Sequence, residues 1–137
     1  MGSYADDALF MSRNNIEYVE LISDDGKSKV MVIPAWQGRV MTTSAAGDEG
    51  DSYGWINYSF IKKRQIDLQF NPVGGEERFW LGPEGGVFSL YFRQGEKQIY
   101  KNWKVPPVLD IEAFKIQSQS KNCICLTKEG CLTNACG

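Results

Sequence analysis

Apolar positions recur at helical spacing only at the start of the chain, and mostly at strand spacing after it. Ser3 stands as an N-cap ahead of Asp6 and Asp7, where a helix N-terminus favours anions, and Leu9 and Phe10 supply an apolar side. A short helix is predicted there, ending before Asn14-Asn15. Residues 16–22 (IEYVELI) then alternate loosely, 23–28 (SDDGKS) carry the hairpin signal Asp25-Gly26, and 29–34 (KVMVIP) answer as the partner strand. A third strand is predicted over 38–45 (GRVMTTSA), with Val40 and Thr42 facing opposite to Met41 and Thr43. Residues 46–54 read as a loop, and 55–61 (WINYSFI) fit either a strand or a turn of helix. Further strands are predicted at 65–70 (QIDLQF), where Ile66, Leu68 and Phe70 share a face, at 87–92 (VFSLYF) and at 97–103 (KQIYKNW). Beyond the proline break of 104–110, two more are predicted at 113–119 and 122–127.

The pattern gives nine or ten short strands with little helix and no internal repeat. That predicts an all-β fold, an antiparallel β-sandwich or barrel with one short N-terminal helix. A single domain over residues 1–137 accommodates it. Because the sequence stops just after a strand pattern begins, the chain is expected to be the N-terminal portion of a larger sandwich. Strand edges left open by such a cut predict self-association.

Composition narrows the function. A net charge of -2 with scattered lysines and arginines forms no basic stripe, so nucleic acid is not an expected partner. No apolar run is long enough to span a membrane, and Asp6 and Asp7 sit where a signal peptide needs an apolar stretch. A cytoplasmic location is therefore the default, and the sequon Asn57-Tyr58-Ser59 carries little weight. The chain has no histidine, which removes the commonest general acid–base residue and metal ligand, and with it serine–histidine or cysteine–histidine nucleophile pairs.

The densest chemistry lies in residues 71–92, NPVGGEERFWLGPEGGVFSLYF. On an extended strand Glu76, Arg78 and Trp80 share one face, with Glu77, Phe79 and Leu81 on the other. If Phe79 and Leu81 enter the core, the first three line an open surface suited to a sugar. The indole offers a platform for the C–H side of a pyranose, the guanidinium donates to hydroxyls, and the carboxylate accepts from them. Glu84, after Pro83, would supply a second carboxylate, and the paired glycines would let backbone approach a ligand. The competing reading is a solvated Glu76–Arg78 pair beside a cavity-filling Trp80, with glycines that simply turn the chain. No nucleotide-binding loop is present, and the pattern calls for no cofactor.

Two stretches, PAWQGRVMTTSAAGDEGDSYGWINYSFI and GGEERFWLGPEGG, resemble an uncharacterised bacterial family grouped with the galactose mutarotase-like (aldose 1-epimerase-like) β-sandwiches. The likeness covers nearly the whole chain, and LTKEGCLTN resembles a degraded form of the family's next strand pair. The resemblance implies carbohydrate as the ligand and Arg78 as the sugar-holding arginine. It also implies an aldose 1-epimerase activity in which a histidine acid and a glutamate base come from later in the chain. With no histidine here, the expected role is carbohydrate binding without catalysis. A structural or interaction domain with no small ligand is the third reading.

Three other features carry alternatives. Arg39, near Trp36, would either join the sugar site or pair with an acid of residues 47–51 (GDEGD). That acidic segment lacks the spacing of a calcium loop, and a solvated loop is expected. Cys123, Cys125, Cys131 and Cys136 lack paired CxxC knuckles, so no metal site is expected; a disulfide involving Cys131 or buried free thiols are the other readings.

Overall fold

The computed structural model describes residues 2–136. Helix α1 (Tyr4–Arg13) begins with the reciprocal cap that Ser3 permits: its hydroxyl accepts from the Asp6 amide while the Asp6 carboxylate accepts from the Ser3 amide. Tyr4, Asp7 and Met11, spaced to lie on one side, are the residues this helix buries. Asn15, in the left-handed region at φ 57°, turns the chain away.

Strands β1 (Val19–Ile22), β2 (Lys29–Ile33) and β3 (Arg39–Ser44) form an antiparallel sheet in that order. The β1–β2 register runs from Val19 opposite Val32 to Ile22 opposite Lys29. Its turn is the expected one, with Gly26 at φ 73° and the Asp25 carboxylate accepting from Ser23 Oγ and the Lys27 amide. Between β2 and β3, Pro34–Trp36 make one 3-10 turn, and Gln37 and Gly38 return the chain through left-handed conformations. Residues 55–61 resolve as the lead into helix α2 (Tyr58–Lys63), because Asn57 caps it by accepting from the Phe60 amide. Helix α3 (Pro107–Asp110) starts on the second proline of the break. A separate hairpin pairs β4 (Lys115–Gln119) with β5 (Ile124–Thr127).

The architecture is thus small antiparallel sheets plus a few helices, with five strands among the described residues where nine or ten were expected. Residues 65–70, 87–92 and 97–103 are not strands. In the first, Asp67 and Asn71 bind the local backbone: Asn71 Oδ1 accepts from the Asp67 amide and Asp67 Oδ1 from the Gln69 amide. Such bonds replace ladder bonds, and Ile66 and Leu68 are left exposed. In the second, Ser89 Oγ donates to the Glu84 carbonyl and accepts from the Tyr91 amide, curling the segment so that Tyr91 is buried. The third contains a 3-10 turn, Tyr100–Asn102.

Two apolar cores result. The first joins Tyr4 and Met11 of α1 to Met31, Ile33 and Met41 of the three-stranded sheet and to Ile56, Ile61 and Val73. The second gathers Tyr91, Val105 and Leu109 with the flanking rings of Phe70, Trp80 and Trp103. No helix among the described residues is long and apolar enough to cross a membrane.

Candidate functional site

Between the two cores the chain brings Arg39, Asn71, Arg78 and Asp110 together. Two of them reach the junction from an element anchored in one core, Arg39 opening β3 and Asp110 closing α3 directly after Leu109, while Asn71 and Arg78 come from the irregular segment between. The Asp110 carboxylate is surrounded by donors. Its Oδ2 accepts from the Asn71 amide and from Asn71 Nδ2, both at 2.8 Å, and its Oδ1 accepts from Arg78 Nη2 at 3.2 Å. The same Nη2 donates to the Leu109 carbonyl at 2.6 Å.

Arg39 is only 3% exposed, yet no carboxylate pairs with it among the described residues. Its Nη1 donates to the Gly74 carbonyl at 2.7 Å, and its Nε has no partner. Burial, then repulsion from Arg78, pulls its pKa down to about 10, with Asp110 opposing. It therefore remains a cation at neutral pH. The double glycine makes this placement possible. Gly75 has φ 113°, and a Cβ there would lie 2.9 Å from Arg39 Cδ and 3.0 Å from Cγ, so the arginine stem lies against bare backbone. Gly75 thus makes room for a side chain from β3, while Gly74 lets the chain approach the Trp55 carbonyl, which a Cβ there would meet at 2.2 Å.

Arg39 opens onto a cavity of about 250 Å³, walled by Trp36 and Phe60, with Arg64 and Gln65 at the rim and Asn71 and Asp110 behind. Two other concavities lie in the second half of the molecule. One, of about 810 Å³, runs between Tyr91, Val105 and Leu132; the other, of about 350 Å³, is bounded by Glu84, Gln98, Tyr100 and Trp103.

The residues expected to form a shelf are divided differently. Arg78 and Trp80 do meet, but the guanidinium lies over the indole at 4.2 Å from its centroid and covers it, and Phe70 is 5.7 Å away. Both side chains turn toward the second core, because Asp110 and the Leu109 carbonyl draw the guanidinium inward. Phe79, expected inside, is the exposed residue and meets Phe114 edge-on at 6.1 Å. Glu84 joins this group, accepting from Trp80 Nε1 at 2.7 Å. Glu76 does not: its carboxylate accepts from the Thr43 amide and hydroxyl at 2.9 and 3.0 Å, on the edge of β3. The Arg39 ion pair with residues 47–51 is not formed, since Asp48 pairs with Lys29 at 2.6 Å and Arg39 points elsewhere. The four cysteines are free and exposed rather than buried or paired. Beyond Trp80 the rings continue in a row: Tyr91 lies tilted 5.2 Å from Trp80, Trp103 stacks 5.6 Å from Tyr91, and Tyr100 stacks 6.2 Å from Trp103.

Sequence reasoning missed Asp110 and Asn71. The available signal was an aspartate placed directly after Val108 and Leu109, an acid ending an apolar turn that had to be buried.

Chemically, the junction can donate hydrogen bonds and attract negative charge. The one buried carboxylate has both oxygens occupied by donors, so it is poorly placed to move a proton. Fold and site together define a protein of small antiparallel sheets and a few helices with a charged junction between two cores. The chain belongs to DUF6786, a family of unknown function whose model matches residues 2–137. No curated protein and no solved structure matches it.

Proposed function

We propose that the chain is a carbohydrate-binding protein that seats one sugar ring in the cavity beside Arg39. The carrying observation is a buried guanidinium, held by one neutral acceptor and unpaired with any carboxylate among the described residues, in the lining of a pocket walled by an indole and a phenyl ring. Aromatic walls suit the C–H faces of a pyranose, and the Arg39 guanidinium, with Gln65, suits its hydroxyls. At about 250 Å³ the cavity lies just below the ~300 Å³ at which small-molecule sites usually begin, which favours a monosaccharide unit over a longer chain. The resemblance of the GGEERFWLGPEGG segment to galactose mutarotase-like sandwiches supports the same ligand class. In this reading Arg78, Trp80 and Glu84 brace the junction while Arg39 and Trp36 meet the ligand. A β-sandwich arrangement of the small sheets, and self-association through their strand edges, belong to the same proposal.

Titration with mono- and oligosaccharides, followed by tryptophan fluorescence, tests it. Quenching is expected in the native protein and in Trp80→Ala, and its loss in Trp36→Ala. No response to any glycan refutes the reading in favour of a domain without a small ligand. Polarimetry on a sugar that binds separates binding from the alternative, aldose 1-epimerase activity.

A further inference from the structure

We infer that the ligand of this cavity is an acidic sugar, a hexuronate-type residue whose carboxylate pairs with Arg39. The inference rests on the carbohydrate reading for the sugar, but its charge argument is independent. Two buried or largely buried arginines meet one buried carboxylate. Asp110 gives one oxygen to Asn71 and the other to Arg78. Arg39 is left with a single neutral acceptor, the Gly74 carbonyl. A buried cation without a counter-ion is costly, and proteins that retain one usually supply the opposite charge from somewhere. Within the cavity the remaining charged residue is Arg64, an exposed cation at the rim that reinforces the positive field. An incoming carboxylate would find the Arg39 guanidinium in the cavity lining and the exposed Arg64 guanidinium beside it, an arrangement matched to an anion. A neutral sugar would leave the excess charge as it stands.

Isothermal calorimetry with sodium glucuronate and galacturonate, against glucose, galactose and acetate, distinguishes the two parts of the argument. The uronates are expected to bind about 10- to 100-fold more tightly than the neutral sugars, as a charged hydrogen bond in a buried site implies. Arg39→Gln should erase that preference, and Arg64→Gln, at an exposed position where folding is not at stake, should reduce it. Thermal melts of Arg39→Gln provide a second readout: uronate should raise the melting temperature of the native protein and leave this variant unchanged. Equal affinity for uronates and neutral sugars overturns the acidic-ligand inference and leaves the carbohydrate reading intact. Acetate binding as tightly as the uronates, with no neutral sugar bound, overturns the sugar component. Absence of binding by all five probes defeats both.

Discussion

Replacing Asp110 by Asn tests the junction most directly. The substitution keeps the size of the side chain but removes its charge and exchanges one acceptor oxygen for a donor. That donor would face Asn71 or Arg78, both donors themselves, and Arg39 and Arg78 would then be two cations with no carboxylate between them. Breaking a buried ion pair by removing one partner costs about 3–5 kcal/mol. Here the Asp110 side chain is 1% exposed but that of Arg78 is 19% exposed, so the lower end, about 3 kcal/mol, is expected. With a urea dependence of about 1–3 kcal/mol per molar, the unfolding midpoint should fall by about 1–3 M. Adding Arg78→Met removes one of the two stranded cations, so the double variant should be more stable than Asp110→Asn alone. A midpoint loss worth less than about 1 kcal/mol would mean that the pair behaves like a solvated surface bridge, and the buried junction would have to be abandoned.

Ser3→Ala removes the hydroxyl half of the α1 cap and should cost about 1 kcal/mol in the same urea assay; an unchanged midpoint would show that the cap contributes nothing. Burial, reinforced by Glu84, raises the Tyr91 phenol from its ordinary 10.0 to about 12. The folded chain keeps that proton where the unfolded chain loses it, so this contribution is full below pH 10.0 and is lost as pH rises toward about 12. Tyr91→Phe should flatten the alkaline loss of stability across that window, and an identical pH profile would contradict the assignment. Cys123, Cys125, Cys131 and Cys136 should all react with a thiol reagent in the native state, without denaturant. Any of the four that reacts only after unfolding would contradict its exposure.

The sequence made the first half of the fold readable because its signals are local. Ser3 with Asp6, Asp25 with Gly26, and the apolar run from Val30 to Ile33 each specify one conformation from neighbouring residues. The second half defeated the same reading for a physical reason. Ile66, Leu68 and Phe70 alternate as a strand would, but Asp67 and Asn71 use their side chains to bond the backbone that a ladder would need. Ser89 does likewise within 87–92. In the candidate site, alternation placed Arg78 and Trp80 on a common face, and they do share one. It could not show which way that face turns, since that depends on Asp110, distant in sequence and buried by α3. Arg39 was visible as a candidate. The role of Gly75 in admitting its stem was not, because that role exists only once β3 and the glycine pair lie side by side.

The two apolar clusters share no side chain, and the residues linking them at their centre are polar. Each cluster can therefore act as its own unit of cooperativity, and melting the joint lets one open while the other stays shut. Amide exchange would then report two opening free energies in place of one. A guest bound at the joint would merge them, turning a molecule that breathes in halves into one that unfolds all at once.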